Sequence, residues 1–247
     1  YDYIYLGDSA RCPYGPRSFE VVYEFTLQAV SKLFELGCPL VILACNTASA
    51  KALRTIQQIN LPVIDATRRV LGVIRPTAEC IGEITRSRHV GILATAGTIK
   101  SESYLLEIHK LSPDIVVTGE ACPMWVSLVE NNEYQSEGAD YFVKQHINRL
   151  LDKDPMIDTI ILGCTHYPLL LDKIRQFTPG HIRIIAQGEY VARSLQDYLN
   201  RHPEMDARCE KGGKCRFLTT ESENKFEESA SIFLGRQDIK VESIALE

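Results

Sequence analysis

The sequence has no basic stripe. Its 247 residues carry 27 Lys and Arg against 32 Asp and Glu, a formal net charge of -5. The cations are scattered, so no continuous positive face is available to neutralise a phosphate backbone, and nucleic acid is not an expected partner. No apolar stretch approaches the roughly 20 residues a membrane-spanning helix needs. There is also no charged-then-apolar leader, and the expectation is a soluble, cytoplasmic protein with no membrane partner. No Ser/Gly/Pro-rich linker, low-complexity tract or charge block interrupts the chain, so composition marks no domain boundary.

Cofactor signatures are missing as well. There is no G-x-G-x-x-G, no Walker-type phosphate loop and no nucleophile elbow, and no motif nominates a Schiff-base lysine. Catalysis without a cofactor is the simpler expectation. None of the eight cysteines forms a C-x-x-C pair, which deprives a closed zinc site of its usual ligand clusters, and no metal is expected. Most cysteines sit in strand-like or helix-like runs such as "GCPLVILACN", which argues against a secreted disulfide framework and for reduced thiols. Cys38 and Cys80 read as buried filler. Cys209 and Cys215, around a Gly-Gly turn, read as a reduced surface loop, with oxidation or metal capture the lesser alternative.

What is present is a chain that is 45% hydrophobic, enough for one large or two small well-buried domains. Short apolar runs predict strands at Tyr3 to Leu6, Leu40 to Ala44, Val63 to Ala66, Val90 to Ala94, Ile115 to Thr118, Thr159 to Leu162, Ile182 to Ala186 and Arg216 to Leu218. Helical spacing predicts helices at Phe19 to Leu36, Ala48 to Gln57, Lys100 to Leu111, Tyr141 to Leu151 and Tyr190 to Tyr198. Alternation of the two predicts an α/β fold with mainly parallel sheets flanked by helices. In such a fold the ligand crevice lies beyond the carboxyl ends of the strands.

Two of those ends share one plan. "VILACNTAS" (Val41 to Ser49) and "IILGCTHYP" (Ile160 to Pro168) both run apolar strand, small residue, Cys, polar residues, helix. Cys45 and Cys164 would then lie near helix N-termini, where backbone N–H groups favour thiolate. Buried filler remains an alternative for each. Zinc binding by Cys164 and His166 lacks further ligands, and a Cys-His acyl-transfer nucleophile leaves Cys45 without a role. Inversion at a carbon uses both thiols: one takes a proton from one face and the other returns a proton to the opposite face. A thiol with an unperturbed pKa of about 8.5 serves in either sense.

Asn46, Thr47 and Thr165 follow the two cysteines, and "ATAGTIKS" adds Thr95, Gly97 and Thr98 at another strand-to-helix loop. Taken singly these are ordinary N-caps. Gathered at several strand ends they suit a carboxylate. "PYG", Pro13 to Gly15, reads either as a tight turn or as a backbone and phenol brought close to a ligand.

The motifs "GDSARCPYG", "ACNTAS", "ATAGTIKS", "EACPMWVSLVE", "GCTHYPLL" and the closing "FLTTESENKFEESASIFLG" occur in an order, and over nearly the whole chain, that resembles the glutamate racemase family of the aspartate/glutamate racemase superfamily. The resemblance implies cofactor-independent interconversion of L- and D-glutamate, supplying D-glutamate for bacterial peptidoglycan. It implies that Cys45 takes the α-proton of D-glutamate and Cys164 that of L-glutamate, with His166 assisting Cys164 and Glu130 close by. Substrate would be held by Tyr14, Gly15, Asn46, Thr47, Thr95, Thr98, Thr165 and His166. It further implies two similar α/β lobes around a cleft, residues 1–67 with 190–247 on the Cys45 side and 68–189 on the Cys164 side, and a homodimer for which no surface stripe stands out.

Two departures accompany the resemblance. Family members begin with a strand and an Asp-Ser-Gly loop that precede the segment seen here, and the expectation is that this start was cut or not seen. Gln187-Gly188 stands where many relatives have Asp-Ser, a change expected to be neutral for catalysis. The alternatives are an aspartate racemase, whose pocket depth sequence does not give, a catalytically silent binding relative, and a Cys-His hydrolase.

Overall fold

A computed structural model describes residues 1–235 and 239–246; residues 236–238 and 247, the remainder of the expected first lobe, lie outside the described residues. Among the described residues nine strands form three sheets: β1 (Tyr3–Gly7), β2 (Leu40–Leu43), β3 (Arg69–Gly72), β4 (His89–Ala94), β5 (Val116–Ala121), β6 (Thr159–Gly163), β7 (Arg183–Ala186), β8 (Cys215–Thr219) and β9 (Val241–Ser243). The sheet orders are β1-β8-β9, β2-β3 and β5-β4-β6-β7. Every pairing is parallel, as the strand-helix alternation predicts.

The four-stranded sheet is covered on both faces, which is why β4 and β6 read as unbroken apolar runs rather than alternating ones. On one face Leu93, Ile160 and Leu162 meet Trp125, Val143, Ile147 and Leu150 from the helices Pro123–Glu130 and Glu137–Lys153. On the other, Val90, Ile92 and Ile161 meet Ile74, Ala78 and Ile81 of the helix Ile74–Ile84 and Ile108 of the helix Ser103–Leu111. The long first helix, Phe19–Glu35, starts at Ser18, whose hydroxyl accepts the Val21 N–H at 3.3 Å, and buries Val22, Thr26, Val30 and Phe34 at four-residue spacing.

One predicted strand is not a strand. Residues 63–66 fall in and just after the short helix Leu61–Asp65, which has Pro62 in its first turn, and the strand comes later, at Arg69–Gly72. Pro62 is preset for a first helical turn. The Asp65 carboxylate then accepts from the Thr67 N–H (2.9 Å) and Arg68 (3.1 Å), ending the helix in a turn. Because β3 pairs with β2, the sheet of the Cys45 side runs past residue 67, the boundary expected from sequence. Strand β9 was also not predicted; β1 pairs with β8, bringing the chain's closing segment beside its opening one.

Asp158, at the start of β6, ties the sheet to the loop before β4. Its carboxylate accepts from the N–H groups of Arg86 (2.7 Å) and Ser87 (2.6 Å) and the hydroxyls of Thr85 (2.7 Å) and Thr159 (2.8 Å). Burial works to raise its pKa, but these four donors outweigh it and hold the group at about 2. The folded pKa therefore lies below the unfolded one. The resulting stabilisation, about 2 kcal/mol, is present above the unfolded value and is lost as pH falls from about 4 to about 2. Asp158→Asn is expected to lose that amount at pH 7 in urea unfolding, with the gap to native protein shrinking at pH 3. A gap of equal size at both pH values would contradict the assignment.

Candidate active site

The parallel topology places most sequence-predicted site residues just beyond the carboxyl end of a strand or at a helix end nearby, with Tyr14 and Gly15 further along the turn between β1 and the first long helix and Thr98 inside the helix Ala96–Lys100. Cys45 follows β2 and caps the helix Asn46–Lys51, its Sγ accepting the Ala48 N–H at 3.5 Å. Cys164 follows β6, but no α-helix begins there. A short turn leads to the 3-10 helix Tyr167–Leu170 and only then to the helix Leu171–Phe177. The helix-start environment predicted for both cysteines therefore holds for Cys45 alone, and backbone N–H groups of His166 and Tyr167 act on Cys164 instead.

Burial raises both thiols above the ordinary cysteine value, and Cys164 is pushed up to about 12, with the charge of Cys45 and then that of Cys12 adding to the effect. The two sulfurs thus sit close enough to feel each other's charge. Opposing the rise, Cys45 has the N–H groups of Ala48 and Thr47 and the Thr47 hydroxyl.

Cys164 Sγ lies 3.7 Å from His166 Nδ1. His166 Nε2 is in turn hydrogen-bonded to a Glu130 carboxylate oxygen, at the end of the helix Pro123–Glu130. That bond, working against partial burial, holds the Glu130 carboxyl below its usual range. An ionised carboxylate only accepts, so the imidazole carries its proton on Nε2 and presents Nδ1 as an acceptor toward the Cys164 thiol. The turn bearing these groups is anchored by Tyr167, fully buried, whose hydroxyl donates to the Cys122 carbonyl at 3.0 Å and whose ring meets Trp125 edge-on at 4.8 Å.

Three hydroxyls from two loops converge nearby. Thr47 Oγ1 lies 2.9 Å from Thr95 Oγ1 and 3.3 Å from Thr98 Oγ1, and Thr95 and Thr98 are 3.1 Å apart. Thr95 also caps the helix Ala96–Lys100, so the N-cap reading and the cluster reading hold together. Asn46 is 2% exposed. Its Oδ1 accepts from the Tyr104 hydroxyl at 2.6 Å, while its Nδ2 is buried with no partner among the described residues. A buried donor left open costs about 1–3 kcal/mol, so the amide is poised for an acceptor that arrives with a ligand.

Gly15 is buried against Thr95, and its carbonyl accepts the Gly97 N–H at 3.1 Å. Any Cβ at Gly97 would stand 2.6 Å from that carbonyl oxygen, so the contact requires glycine. Tyr14 directs its hydroxyl to Asp8 rather than leaving it free for a ligand; burial and the Asp8 carboxylate keep the phenol protonated. Thr165 is exposed, with no side-chain hydrogen bond among the described residues.

Several site residues carried no role in the sequence reading. Asp8 accepts from Arg11 Nε (2.8 Å), Tyr14 and Thr220 (2.9 Å), and so joins the loops after β1 and β8. Cys12 lies beside Glu130 and His166. Gln187, 8% exposed, donates to Val73 O at 3.1 Å and Thr77 Oγ1 at 3.0 Å and lowers the pKa of Tyr104, the residue that holds Asn46, against a larger rise from burial. Asp8 and Cys12 lie inside "GDSARCPYG", and that motif was the one signal pointing to them. All eight cysteines are free thiols, and no helix among the described residues is long and apolar enough to cross a membrane.

Fold and site together define an α/β enzyme with paired thiols at the strand ends of two different sheets. The chain belongs to the Asp/Glu/Hydantoin racemase family, whose model matches residues 2–195. It is 39% identical over 245 residues to a glutamate racemase of Bacillus cereus, covering 99% of this chain and 87% of that protein. Among solved structures, a glutamate racemase isoform of Bacillus anthracis is 36% identical with a TM-score of 0.88, covering 98% of this chain and 87% of the other. A glutamate racemase of Francisella tularensis in complex with D-glutamate is 29% identical with a TM-score of 0.86, covering 100% of this chain and 88% of the other.

Proposed function

We propose that this protein interconverts L- and D-glutamate without a cofactor, supplying D-glutamate for peptidoglycan. The observation that carries the reading is the pair of thiols, Cys45 and Cys164, each at the carboxyl end of a strand in a different sheet. The cleft then lies between a Cys45 lobe built on β1 to β3, β8 and β9, and a Cys164 lobe built on β4 to β7. The names of the relatives support glutamate as substrate.

In the L-to-D direction, His166 Nδ1 accepts the Cys164 proton, and the thiolate removes the α-hydrogen of L-glutamate as a proton. The electron pair left on the carbon delocalises into the α-carboxylate, and the Cys45 thiol delivers a proton to the opposite face. Cys45 is then the thiolate, which is the starting state for D-glutamate, so the reverse reaction uses the same groups with roles exchanged. Asn46 Nδ2 and the hydroxyls of Thr47, Thr95 and Thr98 hold carboxylate oxygens, where developing charge is met by donors already in place. Gly15 and the Tyr14 ring shape one wall, and Thr165 completes the loop beside Cys164.

The test is incubation of L-glutamate with the protein in D2O. Optical activity should fall to zero and deuterium should appear at the α-carbon of the D product. With aspartate run in parallel, loss of rotation only for aspartate would replace the substrate, and full retention of the α-hydrogen for both amino acids would overturn the mechanism.

A further inference from the structure

Cys12 has no part in the racemisation steps, yet it stands among groups that do. Its sulfur, a Glu130 carboxylate oxygen and an imidazole nitrogen of His166 all lie within 4.8 Å of one another. They come from three separate segments: the turn after β1, the end of the helix Pro123–Glu130 and the loop after β6. The sequence carries no metal motif because no two of these residues are near in the chain.

We propose that Cys12, Glu130 and His166 form a site for a thiophilic divalent cation of the zinc type, and that its occupation switches off Cys164. One thiolate, one imidazole and one carboxylate make a borderline-soft donor set that suits zinc and cobalt rather than magnesium or calcium. Bonds of about 2.0–2.3 Å in tetrahedral geometry set donors roughly 3.3–3.8 Å apart, so adjustments on the order of 1 Å bring the three onto one ion. Three protein ligands leave a fourth position to water. Glu130 is exposed and the other two are half-buried, which gives an ion a path from solvent.

The chemistry balances with one proton released. The Cys12 thiol is pushed up to about 12 by burial and by the charges of Glu130 and Cys45, and a divalent charge at the sulfur reverses that preference. The Cys12 S–H bond breaks, the sulfur–metal bond forms, and the proton leaves to water. At His166 the ion occupies Nε2, the nitrogen now bonded to Glu130. The imidazole proton moves through water to Nδ1, which faces Cys164 Sγ at 3.7 Å. Nδ1 then donates instead of accepting, and the Cys164 thiol loses its proton acceptor. The ion is thus an inhibitor that fixes the wrong tautomer. It also joins Cys12 of one sheet's loop to two residues of the other's, fastening the cleft.

The inhibitory consequence rests on the racemase reading of His166, whereas ion binding does not. The experiment uses the whole protein, stripped with EDTA, then titrated with Zn2+ while racemisation is followed, and with Co2+ while the near-ultraviolet absorption is followed. Native protein should lose activity with increasing Zn2+, recover with EDTA, release one proton per ion, and show a thiolate-to-cobalt charge-transfer band. Cys12→Ser should need at least tenfold more Zn2+ for half-inhibition, measured against its own metal-free rate, and lack the band. Cys12→Val serves if the serine variant does not fold. Equal zinc sensitivity of native and Cys12 variants would assign the ion to Cys45 or Cys164 and overturn the proposal, as would a cobalt complex without the band. An absence of racemisation in metal-free native protein would strike the functional reading alone, leaving the cobalt band to decide the site.

Discussion

Replacing Cys45 or Cys164 by serine is expected to reduce glutamate racemisation by roughly 10²–10⁴-fold, with the fold retained. A serine hydroxyl matches the thiol in shape but is a far weaker acid, so it neither persists as an anion nor gives up its proton readily. Enantiomers have equal free energies in water, so kcat/KM must fall by the same factor in both directions whichever cysteine is changed. The role of each residue shows instead in isotope exchange. In D2O, Cys45→Ser should still exchange the α-hydrogen of L-glutamate with retention, because Cys164 can remove a proton and return one to the same face. Cys164→Ser should do the same for D-glutamate. Mass spectrometry of the recovered substrate with chiral separation reads this directly. Undiminished racemisation by Cys45→Ser would overturn the two-thiol mechanism.

The second large effect lies at His166. His166→Asn should lower kcat by about 10²-fold with little change in KM, because the ring meets the Cys164 thiol rather than the carboxylate-holding donors. Exchange from L-glutamate should suffer more than exchange from D-glutamate, since Cys45 has its own N–H partners and no histidine contact among the described residues. Glu130→Gln should cost less, about tenfold, the difference between a charge-assisted and a neutral hydrogen bond to Nε2. Equal loss of exchange from both enantiomers in His166→Asn would reduce the histidine to a structural part of its loop.

The strand-Cys plan was legible because a short apolar run followed by a polar turn is a local pattern, and it placed Cys45 and Cys164 just past the ends of β2 and β6. Residues 63–66 misled for the opposite reason. Their branched side chains favour a strand in isolation, but Pro62 presets a helical turn and β3 is chosen by pairing with β2, a contact no window of sequence contains. Asp8, Cys12 and Tyr104 escaped likewise: each acts through a partner distant in the chain or on another loop, Thr220, Glu130 or Asn46. Cys164 was placed correctly and its surroundings were not, since the helix expected after it begins only at Leu171.

The meeting of Gly97 with the Gly15 carbonyl is a contact of backbone with backbone, without a side-chain rotamer on either side. Side-chain contacts between moving parts act like springs, relaxing into another rotamer when the parts shift. This one acts like a gauge block, whose thickness is that of a peptide hydrogen bond. It lies between the loop after β1 and the first turn of the helix after β4, one from each of the two lobes proposed above. A displacement of 1 Å in reacting groups is enough to cost about 10²-fold in rate. On the two-thiol mechanism proposed above, the separation of the thiols across a substrate carbon would be set in part by two residues that touch no substrate atom through a side chain, having none.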